Sequence, residues 1–203
     1  MIEVTRQDAL WRVVLNRPAK ANSLTRTMLL DLAQAAEAAA GKAKAFVLTG
    51  SGKVFSAGAD LQEARAGLAT DPVWERLSHA IAALPCLTVA ALNGTLAGGA
   101  FGMALACDMR VCVPEARFFY PVMKLGFLPQ PSDPGRLAAL IGPARAKLVL
   151  MGGQKLTADQ ALAFGLVDAV VPKDLLQARV AELCADALGA KTGHIKAIKA
   201  MIR

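Results

Sequence analysis

The chain has 203 residues, 55% apolar and 19% charged, with 23 Lys and Arg against 16 Asp and Glu for a formal charge of +7. At roughly 150 residues per domain this is one domain, or one with a small appendage, and the apolar share excludes a disordered polyelectrolyte. The basic residues are dispersed and only 5% of residues are aromatic, so a stacking platform for bases is lacking and no nucleic-acid partner is expected.

Residues 2–5 and 10–15 read as strands joined at Asp8, and Asn16-Arg17-Pro18 ends the second. Thr25 is placed to cap a helix over 28–40, where Met28, Leu29, Leu32 and Ala36 recur at helical spacing and Gly41 stops it. Residues 45–48 form a compact apolar strand, followed by the loop Thr49-Gly50-Ser51-Gly52. A short helix ends near Ala66, and an amphipathic helix covers 73–84. No charge falls between Ala80 and Cys107, a stretch long enough to cross a bilayer. Pro85, Asn93, Gly94, Gly98, Gly99 and Gly102 divide it instead into a buried strand over 88–92, a turn, and a buried helix from Gly98, so no membrane partner is expected. Strands over 110–113 and 117–120 follow, then helices over 135–141, 144–151 and 158–164, a last strand over 167–171 and a last long helix over 175–188. Strands alternating with helices predict an α/β core domain over 1–188 with a largely parallel sheet. Residues 189–203 form a basic tail with Lys191, Lys196, Lys199 and Arg203, read as a solvated helix face. No internal repeat is visible.

Cys86, Cys107, Cys112 and Cys184 make no CxxC pair, and His79 and His194 are the only histidines, so no metal site is expected. Reduced core thiols and an opening without a signal segment point to a cytoplasmic setting. Gly52-Lys53 does not complete a P-loop, because Val47 and Val54 occupy the first-glycine and Ser/Thr positions. GxGxxG, GxSxG and HExxH are missing, and no flavin or nicotinamide site is visible. Two glycine-rich turns remain, at 55–61 and 91–100, each after a predicted strand. Small residues leave backbone N–H groups open to a ligand, and two such groups converging on one oxygen form an oxyanion hole. Close packing of a helix on a sheet demands the same small residues, and spacing alone does not choose between the two.

The motifs in order resemble the crotonase, or enoyl-CoA hydratase/isomerase, superfamily. Leu15-Asn16-Arg17-Pro18-Ala19-Lys20-Ala21-Asn22-Ser23-Leu24 is similar to its N-RP-xxx-N-A/S-L motif, and Phe55 to Leu61 to its F-x-AGAD-L motif. Asn93-Gly94 through Gly98-Gly99 to Cys107-Asp108 is similar to its NG-xxx-GG…CD segment, and 154–167 to its late A-x-x-A-x-x-x-G-L-V segment. The resemblance implies an α/β, crotonase-like repeated ββα spiral, assembled as a homotrimer or dimer of trimers. The C-terminal helical region is shortened, because 191–203 reaches only the first of the helices that usually follow. It implies an acyl-CoA thioester as partner, with coenzyme A as part of the substrate and no separate cofactor. Ala59 and Gly99 would be the backbone oxyanion donors. Lys20, Ala21, Ala57, Gly58, Asp60, Leu61, Gly98, Gly102, Pro121 and Val122 would complete the acyl-CoA site.

Hydratases of this family use two glutamates, and their positions here hold Gly102 and Val122, which cannot transfer a proton. Other members carry an acid where this chain has Gln130. The nearest carboxylate is Asp133, a candidate base, although a turn or helix-capping aspartate before Pro134 is the favoured reading. Tyr120, the only tyrosine, is a second candidate and would also suit the core. Glu63 can face pocket or solvent, Asp108 is read as structural, and His79 as a surface or core histidine. The expected function is enolate stabilisation for isomerase, decarboxylase or related chemistry. The alternative is a non-catalytic acyl-CoA binding protein that has lost the acids.

Overall fold

A computed structural model describes residues 1–202; Arg203, counted in the basic tail, lies outside the described residues. The chain opens with the antiparallel pair β1 (Ile2–Gln7) and β2 (Leu10–Leu15), turning at Asp8, and continues into α1 (Arg26–Ala39). Thr25 caps α1, its hydroxyl accepting from Met28 N–H at 3.2 Å. Three strand–strand–helix units follow. The first is β3 (Ala45–Gly50), β4 (Val54–Ser56), α2 (Leu61–Arg65) and α3 (Val73–Ala82). The second is β5 (Leu87–Leu92), β6 (Thr95–Ala97) and α4 (Phe101–Leu105). The third is β7 (Met109–Cys112), β8 (Arg117–Phe119) and α5 (Val122–Leu125). Then come α6 (Asp133–Ile141), α7 (Pro143–Leu150), β9 (Leu156–Thr157), α8 (Ala158–Phe164), β10 (Ala169–Val170), α9 (Leu176–Gly189) and α10 (Thr192–Ile202).

Each unit sends its first strand to one sheet and its second to another. The larger sheet runs β1-β2-β3-β5-β7-β10, parallel except for β1, and the smaller runs β4-β6-β8-β9, parallel except for β9. This is the ββα spiral that the resemblance implies. The single largely parallel sheet of the sequence reading is thus two sheets. The reason is local: β4, β6 and β9 have three residues or fewer, too short to show any alternation. The strand expected over 167–171 contracts for the same kind of reason to Ala169–Val170, which pairs only with β7.

Ala45 to Leu48 of β3 and Val89 to Leu92 of β5 are continuous apolar runs because both faces of the parallel sheet are covered. Met28, Leu29, Leu32 and Ala36 of α1 are buried in one core with Trp74, Leu77 and Ile81 of α3. The four thiols are buried and free, and burial pushes those of Cys107 and Cys112 up to about 12. α10 is tied to the body at Lys199, whose ammonium donates to Cys86 O at 2.8 Å and Asp108 Oδ2 at 2.7 Å. Among the described residues no helix is long and apolar enough to cross a membrane.

Candidate active site

β4 and β6 are parallel neighbours, so the loops leaving their C-terminal ends emerge side by side. Those loops carry Gly58 and Gly98, and their backbones touch. Gly58 has φ +90°, and a Cβ there would stand 2.9 Å from Ala97 O and 3.3 Å from Gly98 Cα; Gly98 itself has φ +57°. A side chain at Gly58 would be both strained and in the way, and one at Gly98 would be strained. The next residues, Ala59 and Gly99, line one cavity.

Among the described residues, both of these N–H groups are left free. Leu24 bridges the strand-like segment around Ala59: Leu24 N–H donates to Gly58 O and Asp60 N–H to Leu24 O, both at 2.8 Å. A parallel bridge of this kind engages the residues on either side and turns the N–H of the middle one away. Gly99 lies in the first turn of the short helical segment Gly98–Ala100, where an N–H has no intrahelical acceptor. Trp74 packs on Gly99 so closely that a Cβ there would be 3.2 Å from its ring, and Trp74 Nε1 donates to Leu68 O at 2.7 Å.

Asparagines buckle the loops from behind. Asn22 is fully buried; its amide donates to Ser51 O and Val54 O at 2.9 and 2.8 Å and accepts from Arg17 N–H at 2.8 Å. Asn93 accepts from Gly50 N–H at 3.0 Å. Ser56 donates to Asn22 O and accepts from Gly58 N–H, at 2.8 and 3.2 Å. Asp60 caps α2 through Gln62 N–H, and the Arg17 guanidinium 2.7 Å away holds its carboxyl below the ordinary value.

The cavity has a volume of about 250 Å³. Of the expected residues, Ala57, Ala59, Leu61, Gly98, Gly99, Pro121 and Val122 line it, whereas Lys20, Ala21, Gly58, Asp60, Gly102 and Asp133 do not. Ala21 stands directly behind the wall, its carbonyl accepting from Ala57 N–H at 3.0 Å. Trp74, Tyr120 and Gln130 also line the cavity, and the exposed Leu125 and Leu128 stand at its edge. A larger apolar groove of about 710 Å³ runs under α10 beside Asp108, but the paired glycine loops have no part in its wall.

Asp133 is 1% exposed and opens α6 without capping it through its side chain. Its Oδ2 accepts from the Tyr120 hydroxyl at 3.0 Å, and among the described residues Oδ1 has no partner. A Cβ on Gly102 would lie 2.9 Å from that Oδ1 and 2.7 Å from Ser78 Oγ, so the missing side chain at 102 makes the room the carboxyl fills. Burial pushes the Asp133 carboxyl up to about 7; the Tyr120 hydrogen bond and Arg136 pull it down, and Glu75 pushes it further up. The Tyr120 phenol is held above its ordinary value by burial first and then by the Asp133 charge. Tyr120 also accepts from Gln130 N–H at 3.3 Å and stacks on Phe101 at a centroid distance of 5.4 Å.

The other candidates lie elsewhere. Glu63 accepts from Arg26 N–H at the start of α1. His79 is on the surface, its side chain 68% exposed and 3.6 Å from Glu75. Asp108 accepts from Thr88 N–H at 2.9 Å and from Lys199, in keeping with a structural reading. The sequence reading did not foresee the burial of Asn22, the Trp74 wall or the Tyr120–Asp133 contact; Asn22 and Asn93 alone had a signal, as fixed members of quoted motifs.

The family model described as enoyl-CoA hydratase/isomerase matches residues 5–203. The "Probable enoyl-CoA hydratase echA6" of Mycobacterium tuberculosis is 37% identical over 185 residues, 90% of this chain and 76% of that protein. The 4-chlorobenzoyl coenzyme A dehalogenase-2 of an Arthrobacter species is 32% identical over 211 residues, covering 97% and 75%. Among solved structures, an enoyl-CoA hydratase from Mycobacterium avium subsp. paratuberculosis superposes with a TM-score of 0.89 at 34% identity, covering 99% of this chain and 80% of that one.

Proposed function

Since the chain belongs to the enoyl-CoA hydratase/isomerase family, we propose that it binds an acyl-CoA thioester and stabilises the thioester's enolate with the N–H groups of Ala59 and Gly99. The observation that carries this is the pair of unspent backbone donors, on adjoining loops, in the wall of one apolar cavity. Enolisation moves negative charge onto the thioester oxygen. Donors fixed in place beforehand stabilise that charge more in the transition state than in the ground state. Losing one such donor typically costs about 3–4 kcal/mol, or about 10²–10³-fold in rate.

Asp133 is the proton-accepting group in this reading. It ionises near neutral pH, where a carboxyl can both take and return a proton. Gly102 and Val122 offer no acid for holding water, so isomerisation, decarboxylation or related enolate chemistry is favoured over two-glutamate hydration. Ala21, behind Ala57, and its chain neighbour Lys20 flank the path for coenzyme A. Asp133→Asn should leave acyl-CoA binding intact and abolish exchange of the α-proton. Exchange at the wild-type rate would remove Asp133 from the reaction.

The second reading, a non-catalytic acyl-CoA binder, has one observation in its favour: Asp133 itself does not line the cavity. Binding without exchange by the unaltered protein would establish it.

A further inference from the structure

Asp133 is close to the cavity but not on its wall, and something must connect the two if it takes a proton from a bound acyl group. The wall holds few polar side chains. Arg65 ends in a guanidinium, which has donors and no acceptor; Gln130 is an amide whose Nε2 donates to Ala69 O at 3.0 Å. Trp74 has spent its only N–H on Leu68. Tyr120 remains. Its ring is held by Phe101, its oxygen accepts from Gln130 N–H, and its hydroxyl hydrogen points at Asp133 Oδ2, 3.0 Å away. A phenol oxygen has two lone pairs, so one is left to accept.

We infer that Tyr120 is the side chain that meets the substrate and that Asp133 acts through it, as a two-step proton relay. This rests on the enolate reading above. In the step, the α-carbon–hydrogen bond breaks and its electron pair becomes the enolate double bond. The proton lands on the phenol oxygen as the phenol's own proton passes to Asp133 Oδ2. Tyr120 is neutral before and after. The negative charge leaves Asp133 and appears on the thioester oxygen at Ala59 and Gly99. Delivery of a solvent-derived proton to the same carbon gives exchange, and delivery of a proton to another carbon gives isomerisation. The high phenol pKa agrees with a group that passes a proton without resting as an anion. The charged groups that bear on Asp133 are Glu75 of α3 and Arg136 of α6.

The test is tritium release from 2-tritiated hexanoyl-CoA by the wild type, Tyr120→Phe and Asp133→Asn, in light and in heavy water. Native mass spectrometry and thermal melting of each variant report binding and folding. The relay predicts that Tyr120→Phe lowers release about 10²–10⁴-fold, as Asp133→Asn does, with binding retained. It also predicts that the wild type is slower in heavy water, because an exchangeable proton moves together with the carbon-bound one. Release that survives Tyr120→Phe, is lost in Asp133→Asn and is indifferent to heavy water overturns the relay and leaves Asp133 as a direct base. No release by a wild type that binds the probe overturns the enolate reading and the relay together. If Tyr120→Phe does not fold, the wild-type heavy-water effect decides alone.

Discussion

A carboxyl that fills the space beside a glycine, with one oxygen unpaired, costs the fold less while it keeps its proton. The folded value for Asp133 is about 7 against an ordinary 3.8. A raised value on an acid means that its contribution to stability is complete below about pH 4 and is lost as pH rises through about 7. At 1.36 kcal/mol for each pKa unit the loss is at most about 4 kcal/mol. Asp133→Asn removes the charge and keeps the shape, so its melting temperature should exceed that of the wild type at pH 8.5 and match it more closely at pH 4.5. A variant less stable than the wild type at pH 8.5 would contradict this. From the sequence, Asp133 was legible only as a carboxylate before Pro134. Its meeting with Tyr120, 13 residues earlier, and with Gly102 depends on α4 and α6 packing together, and no local pattern reports that.

At the scale of elements, the two loops work only because glycine backbones meet. Gly58→Ala places a methyl 2.9 Å from a backbone oxygen at φ +90°. The left-handed backbone costs about 1–2 kcal/mol and the overpacking about 1–3 kcal/mol. The variant should melt earlier and lose affinity for acyl-CoA as the loops part, as thermal melting and calorimetric titration would show; unchanged affinity would contradict the account. Asn22→Ala leaves Arg17 N–H and Ser51 O without their partner, and Val54 O with only the 3.4 Å bond from Asn93, at about 1–3 kcal/mol for a buried group left unsatisfied, and should lower the denaturation midpoint. A midpoint equal to that of the wild type would show that water replaces the amide. α1, α3 and α9 were legible because 3.6-residue periodicity survives over ten residues or more, and the shorter α8 has the limits read from the sequence. The ββα repeat was legible only through the family resemblance, not from periodicity. It repeats in strand order and in the exchange between sheets, not in residue identity, and one strand of each unit has only three residues.

For the whole molecule, Leu61, Met123, Leu125, Phe127 and Leu128 are exposed around or near the cavity edge, as are Ile198, Met201 and Ile202 on α10. With few charges to cover a monomer's surface, such residues favour association. We expect a homotrimer or a dimer of trimers by sedimentation, and a monomer at micromolar concentration would contradict that. Composition gave only the scarcity of charge, and the places of these apolar residues required the fold. The account's central claim is that the Ala59–Gly99 pair holds an enolate. The most direct measurement is mass spectrometry of a panel of acyl-CoAs incubated with the protein in heavy water, with native spectra of the same samples to establish binding. The account predicts deuterium at the α-carbon of a bound acyl group. Binding of every ligand with no deuterium gained would contradict it and leave a protein that grips the thioester without turning it over.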